Sequence, residues 1–252
     1  MQYTVIDTHS HILPYMDDGA KDPEMSVAML SQLNSQGVGE VFATPHFLIE
    51  NESVESFLKR RDAAYGALLQ YAKDNQTQHL PDIRLGAEIR VFRGICDADL
   101  GSLAIKDTNA LLLELPMEKL SKQIIKEIQI LCDNTYRIPI IAHLDRYTWF
   151  DRSDINALCE LPDVVFQFTT KSLSAFAVRR MISKIQKMGC RVIFGSDCHN
   201  TSERAPDFCN LTGKGGRASV SRHFGERCLR AHEESCEFIL SQSSGDNNGL
   251  IF

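Results

Sequence analysis

Short apolar runs that end in polar or charged residues recur along the chain, with helical-looking stretches between them. Most of these runs are continuously apolar, as expected for strands that are buried on both faces. The seven candidate strands are TVIDTHSH, EVFATPHF, IRLGAEIR, ALLLELP, IPIIAHLDRY, VVFQFTT and RVIFGSDCHN. Strands that alternate with helices indicate an α/β fold built on parallel strands.

The intervening stretches carry helix signals. Asp22 can cap the first helix, Pro23 suits its first position, and Gly37 can end it. The other predicted helices lie within residues 53–74, 121–135 and 174–189. Their apolar residues recur at spacings of three and four, which predicts amphipathic helices that pack on the strands.

Polar clusters stand at the carboxyl ends of six of the seven candidate strands. An open doubly wound sheet and a closed barrel both fit the alternation, but an open sheet concentrates its ligand groups near one switch point. In a barrel, all strand ends converge on one mouth. We therefore predict a distorted, TIM-like (β/α)7 barrel as a single domain over residues 1–240, followed by a polar C-terminal tail at residues 241–252.

Composition and charge narrow the class of protein. The 252 residues are 43% hydrophobic and 24% charged, which is enough apolar material for a sizeable core. No apolar run reaches the ~18–20 residues of a membrane helix and no secretory signal is visible, so we expect a cytoplasmic protein. The net charge of −6, without a basic stripe, argues against nucleic acid as a partner. Eight cysteines without a CxxC pair are expected to be reduced thiols.

The polar clusters contain the residue types that bind metal ions. His9 and His11 are one residue apart, as are Asp197 and His199, so both members of each pair can face one ion. Asp7 shares the face of the first pair and could orient a histidine. The other candidates at strand ends are His46, Glu88, Glu114 and His143.

Each candidate also has a plainer explanation: a solvated or core histidine, or a carboxylate paired with an arginine. Five of the eight histidines at strand ends are hard to explain in that way. Imidazole and carboxylate ligands without a sulfur pattern suit Mn, Fe or Zn, and their number suggests two or three ions.

The motifs DTHSHILPYMDDG, ATPHF, GAEI, LLEL, IIAHLDRY and GSDCHN resemble, in this order, those of the polymerase and histidinol phosphatase (PHP) superfamily. They are most similar to its manganese-dependent protein tyrosine phosphatases of capsule and exopolysaccharide synthesis, over about residues 4–240. The resemblance implies the PHP fold and three metal ions. It also implies a substrate, the phosphotyrosine-rich tail of an autophosphorylating bacterial tyrosine kinase.

The same resemblance assigns roles to individual residues. The ligands that it implies are His9, His11, Asp18, His46, Glu88, Glu114, His143, Asp197 and His199. It implies that Arg146 and Arg204 bind the phosphate during catalysis. It selects Asp18 rather than Asp17, which is left as a turn residue before Gly19.

Two stretches depart from the family pattern. Leu144 and Asp145 stand where such families usually read proline and glutamate in His-Pro-Glu-Arg. Thr169 and Thr170 follow the sixth strand, where the family tends to carry an asparagine. Any role for the glutamate is therefore open, and the substrate preference could differ.

Metal-assisted hydrolysis, in which a metal-bound hydroxide attacks phosphorus, is the mechanism we expect. Cys198 and Arg204 also have the C-x5-R spacing of cysteine-dependent tyrosine phosphatases, but no glycine lies between them, and the charge of Asp197 disfavours a thiolate. Two further alternatives are a PHP phosphatase for a small phosphomonoester such as histidinol phosphate, and a barrel that binds without catalysis.

Overall fold

Nine strands and seven α-helices alternate along the residues that the computed structural model describes, which are 4–216 and 220–242. The strands are β1 (Val5–Ser10), β2 (Val38–Ala43), β3 (His46–Phe47), β4 (Asp82–Leu85), β5 (Glu88–Arg90), β6 (Ala110–Glu114), β7 (Ile138–Ile141), β8 (Val165–Thr169) and β9 (Arg191–Gly195). The α-helices are α1 (Pro23–Ser35), α2 (Val54–Asp74), α3 (Lys122–Thr135), α4 (Arg152–Cys159), α5 (Phe176–Lys187), α6 (Cys209–Thr212) and α7 (Arg222–Ser241). All seven predicted strands are found, the second and third each divided into two.

The four predicted helices are confirmed as α1, α2, α3 and α5. The side chain of Asp22 accepts a hydrogen bond from the backbone N–H of Met25 at 2.8 Å, and Gly37 leaves α1 with a φ of +87°. Among the described residues, α4, α6 and α7 are additional. The last of these runs to Ser241, so the predicted tail lies outside the described residues from position 243 onward.

The strands form two parallel sheets, ordered β1-β2-β4 and β3-β5-β6-β7-β8-β9. Backbone hydrogen bonds join the sheets where β2 runs into β3 and β4 into β5: Gly86 donates to Ala43 at 2.9 Å and Glu88 to Pro45 at 3.0 Å. On the other side, an isolated bridge pairs Ser10 with Cys198 beyond the end of β9. The expected single closed sheet is not seen in residues 4–216 and 220–242.

Strand β1 is buried although most of its later residues are polar. Long-range hydrogen bonds make this possible, because the hydroxyl of Thr8 donates to the carbonyl of Phe194 at 3.0 Å and that of Ser10 to Phe42 at 2.8 Å. Since all pairs are parallel, the carboxyl ends of the strands lie at one edge of each sheet, and the loops that follow them share one face. None of the helices in the described part of the chain is both long and apolar enough to cross a membrane.

Helix α7 bridges the two strands that fail to form a ladder, β1 and β9, through the buried imidazole of His232. Its Nδ1 accepts from the backbone N–H of Phe194 at 3.1 Å, and its Nε2 donates to the carbonyl of Ile6 at 2.8 Å. Burial lowers the pKa of His232 to about 4. The neutral imidazole therefore bonds to a backbone N–H of β9 and a backbone carbonyl of β1, which the two strands do not pair with each other.

We expect His232 to make the fold sensitive to acid. The pKa is 6.5 in the unfolded chain and about 4 in the folded one. The contribution of His232 to stability is therefore complete above pH 6.5 and is lost as the pH falls toward 4, by up to ~1.4 kcal/mol per pH unit. Urea unfolding at pH 7 and pH 5 should show a larger loss for the natural protein than for His232→Gln. Equal losses would contradict this assignment.

Candidate metal centre

The nine predicted ligands come together at the shared face of the strand ends. Three groups place one ligand atom from each residue within 4.8 Å of the others. These groups are His11, Asp18, His46 and His199; His9, His11 and Glu88; and His46, Glu88 and Glu114. The remaining two candidates adjoin them, since His143 Nε2 lies 2.8 Å from Glu88 Oε1 and Asp197 Oδ1 lies 3.5 Å from His11 Nε2.

Glu88 is at the centre of this arrangement and is only 1% exposed. Its Oε2 atom lies 3.2 Å from Nε2 of His9, 3.2 Å from Nε2 of His11 and 3.0 Å from Nδ1 of His46. Burial alone would raise the pKa of Glu88, but these imidazoles and that of His143 hold it well below its usual range. The carboxylate therefore stays ionised inside the protein.

Two arginines close to Glu88 in the sequence, Arg84 and Arg90, pair with other carboxylates. Arg84 pairs with Glu40 at 2.6 Å rather than with Glu88. Arg90 does approach a candidate ligand, because its Nε lies 3.4 Å from Glu114 Oε2 while Glu114 Oε1 faces His143 at 3.6 Å. Glu114 can therefore hold an arginine with one oxygen and an ion with the other.

Several buried atoms of the cluster have no hydrogen-bond partner of acceptable geometry in the described residues: Glu88 Oε2, His143 Nδ1 and His199 Nε2. Buried polar atoms are almost always paired, so unpaired ones need an explanation. Burial would lower the pKa of His11, but the neighbouring carboxylates of Asp17 and Glu88 raise it to about 9, so positive charge is favoured at this position. Nitrogen and oxygen ligands around such a position fit divalent metal ions.

Two residues that the sequence did not identify as supports orient the candidate ligands. Gln167 Oε1 accepts hydrogen bonds from Nδ1 of His9 at 3.2 Å and from the backbone N–H of His143 at 2.5 Å. Asp17 Oδ2 accepts from Nδ1 of His11 at 2.8 Å, so Asp17 is more than a turn residue. Both contacts place the proton on Nδ1 and turn the Nε2 lone pair of the imidazole toward the cluster. A glutamine inside the apolar run VVFQFTT is the signal that could have found Gln167.

Asp7 was expected to orient a histidine ring, and this expectation is wrong. Its Oδ1 accepts from the backbone N–H groups of Ser196 at 2.8 Å and His9 at 3.2 Å, and its Oδ2 accepts from the Ser196 hydroxyl at 2.5 Å. The carboxylate of Asp7 therefore ties β1 to the segment after β9. Burial raises its pKa to about 6.

Cys198 lies between two candidate ligands but points into the apolar core, where it is fully buried. Burial, and then the charge of Asp7, raise the pKa of its thiol far above the usual value. A thiol in this environment is not a nucleophile at neutral pH.

Two arginines reach the cluster from its solvent-exposed side. Arg146 contacts Asp197, and Nη2 of Arg204 lies 3.2 and 3.3 Å from the two oxygens of the same carboxylate. Nη1 of Arg204 also lies 3.3 Å from Asp18, whose side chain is 63% exposed. The arginine side chains are 34% and 37% exposed, so an anion arriving from solvent meets both.

Comparison with known proteins identifies the family of this chain. The family model for capsular polysaccharide synthesis, CpsB/CapC, matches residues 5–232. The chain belongs to the CpsB/CapC family. One relative, the tyrosine-protein phosphatase YwqE of Bacillus subtilis, is 34% identical over 251 residues, which cover 94% of this chain and 91% of YwqE. The putative tyrosine-protein phosphatase CapC of Staphylococcus aureus is 24% identical over 249 residues, covering 94% and 88% of the two chains.

The fold of this CpsB/CapC protein is also known from solved structures. A chain from the crystal structures of YwqE from Bacillus subtilis and CpsB from Streptococcus pneumoniae, described as unique metal-dependent tyrosine phosphatases, superposes with a TM-score of 0.74. The match has 24% sequence identity and covers 95% of this chain and 96% of the other. It shows that the α/β fold with parallel sheets is shared.

Metal binding should stabilise the folded protein by mass action. At Mn²⁺ concentrations ~100 times the Kd, the gain is about 2.7 kcal/mol, or roughly 5–10 °C in Tm for a chain of this size. Glu88→Gln should lose most of this rise because it removes the central charge, whereas Glu118→Gln, an exposed carboxylate on a neighbouring loop, should keep it. An equal rise in both variants would show that Mn²⁺ binds elsewhere.

Proposed function

We propose that this CpsB/CapC protein is a metal-dependent protein tyrosine phosphatase acting in capsule or exopolysaccharide synthesis. The observation that carries the proposal is the buried Glu88 ringed by imidazoles, in a cluster whose Asp197 and Asp18 are contacted from the solvent side by Arg146 and Arg204. Two relatives that span most of this chain carry the name tyrosine-protein phosphatase, one of them as putative. The substrate we propose is the phosphotyrosine tail of an autophosphorylating bacterial tyrosine kinase. The proposed location of the reaction is the cytoplasm.

We assign the nine candidate residues to two or three divalent ions, with manganese as the proposed metal and iron or zinc as ions of similar ligand preference. The proposed ligands are His9, His11, Asp18, His46, Glu88, Glu114, His143, Asp197 and His199. The architecture we propose around them is the distorted (β/α)7 PHP barrel, with the two sheets as its two parts. The described residues then make one domain, with α7 as its last element.

The residues of the chain divide the chemistry among them. When bound, divalent ions would lower the pKa of water and neutralise charge on the phosphoryl group. Asp17 and Gln167 keep Nδ1 of their histidine partners protonated, so that Nε2 is free to coordinate. Arg146 and Arg204 offer guanidinium forks to the phosphoryl oxygens. The leaving tyrosinate, with a pKa of about 10, needs less protonation than an alkoxide.

Substrate choice and metal dependence can be tested together. The Mn²⁺-loaded protein should hydrolyse a phosphotyrosine peptide with a kcat/KM at least about tenfold above that for histidinol phosphate, because the aryl oxide leaves more readily. Excess chelator should abolish turnover, and Mn²⁺ should restore it.

The alternatives give different results in the same assay. Faster turnover of histidinol phosphate would make the protein a small-molecule phosphatase. Peptide binding without turnover would make it a binding module. Full activity after extended chelation would refute the metal mechanism.

The buried position of Cys198 allows a second test of the chemistry. Cys198→Ser should retain activity within about threefold, with some loss of stability from a buried hydroxyl. Asp197→Ala should lose about 10³-fold or more in kcat/KM, because a ligand and its charge disappear together. Both values are measured on one phosphotyrosine peptide with metal content checked. A Cys198→Ser protein that is folded and metal-loaded but inactive would overturn the proposed mechanism.

A further inference from the structure

The short turn after β7 carries two residues of the proposed site. His143 begins it with a φ of +29°, a backbone conformation that residues other than glycine rarely adopt, and a 3-10 turn follows at Leu144–Arg146. Leu144 is 1% exposed and packs in the core, while the side chain of Arg146 reaches Asp197. Successive side chains of this turn therefore lie in different surroundings, one in the core and another at the proposed site. Contacts with neighbouring elements must hold the backbone of the turn in place.

Strand β8 supplies that support on one side through two alternate residues. Gln167 accepts a hydrogen bond from the backbone N–H of His143. Two positions further on, Thr169 binds both carboxylate oxygens of Asp145: its backbone N–H donates to Oδ1 at 2.8 Å, and its hydroxyl donates to Oδ2 at 2.7 Å. The two departures from the family pattern, at positions 145 and 169, are thus partners of one another.

The loop after β6 holds the continuation of the same turn on the other side. The buried hydroxyl of Tyr147 donates to the carbonyl of Leu115 at 2.8 Å. The indole N–H of Trp149 donates to the carbonyl of Glu118 at 3.1 Å. Arg146 therefore stands between a support on β8 and a support on the β6 side, and its backbone has little freedom to shift.

We propose that the pair Asp145–Thr169 positions Arg146 to bind the phosphoryl group; this inference rests on the function proposed above. Asp145 immediately precedes Arg146 in the turn, and both of its oxygens are engaged by Thr169. Asp145 is thus a positioning residue that acts through Arg146, and Thr169 on β8 donates the hydrogen bonds that hold it. A shift of about 1 Å in a positioned catalytic group is enough to lower rates strongly.

This role distinguishes the pair from the supports of the metal ligands. Gln167 contacts two proposed ligands directly, so its loss should disturb metal binding. The hydrogen bonds of Asp145 and Thr169 described above join the turn to β8 without involving a proposed ligand side chain. Their loss should change how substrate phosphate is held while leaving the metal content intact.

Four variants test the proposal in the Mn²⁺-loaded protein with a phosphotyrosine peptide. Asp145→Ala removes both hydrogen bonds and should raise KM about tenfold, with a smaller change in kcat. Thr169→Val keeps the shape and the backbone N–H but loses the hydroxyl, and should raise KM about threefold. Thr169→Ser keeps the hydroxyl and should stay within about twofold of the natural protein. Arg146→Ala provides the background in which the coupling is measured.

The decisive result is the coupling between positions 145 and 146. If Asp145 acts through Arg146, then Asp145→Ala should have less than about a twofold further effect in a protein that already carries Arg146→Ala. Independent, multiplying effects of the two substitutions would overturn the proposal. So would a loss of metal from Asp145→Ala, because the turn would then act through His143. Should Asp145→Ala fail to fold, the comparison of Thr169→Val with Thr169→Ser decides in the same way.

The same variants separate this inference from the proposed function. Absence of turnover of any phosphomonoester by the natural protein would refute the phosphatase proposal. In that case calorimetric titration of the Mn²⁺-loaded protein with inorganic phosphate still tests the pair. A weaker phosphate Kd for Asp145→Ala and for Thr169→Val, but not for Thr169→Ser, would support it, and unchanged phosphate binding in all three would overturn it.

Discussion

The arrangement of the site depends on one electrostatic constraint, the burial of the Glu88 carboxylate. An ionised group that leaves water is costly unless positive charge or hydrogen-bond donors surround it. Here the surrounding groups are imidazoles from β1, β3 and the turn after β7, so the ends of separate strands must keep their relative positions for Glu88 to remain charged. The same geometry brings ligand atoms from separate strand ends within 4.8 Å of one another, as a metal centre requires.

Around that carboxylate, supports are spread over elements that supply no proposed ligand. Strand β8 is the clearest case, since Gln167 orients His9 and the backbone of His143, while Thr169 anchors the residue before Arg146. Helix α7 acts at a distance from the ligands by joining β1 to β9 through His232. Catalytic geometry in this fold is therefore a property of neighbouring strands as much as of the residues that would touch metal or substrate.

Much of this could be predicted from the sequence. Strands buried on both faces appear as continuous apolar runs, so the strands could be predicted. The candidate ligands follow these runs directly, so their convergence at the strand ends could be predicted as well. Helix α7 could not be predicted, because its buried face includes the polar residues His232 and Ser235, which interrupt the apolar pattern. Pro45 and Gly86 lie in the breaks that divide two predicted strands, and the extent of such breaks is set by pairing. The partner of Asp7 is Ser196, far along the chain, and spacing within β1 contains no information about it.

The burial of the Cys198 thiol determines how such an enzyme would respond to oxidation. Peroxide reacts with accessible thiolates, and phosphatases that use a cysteine nucleophile carry that weakness at the reacting atom itself. In this protein the cysteine beside the site is protonated and enclosed by the core. Oxidation of a nucleophilic thiol would therefore not be the route by which the proposed activity is lost.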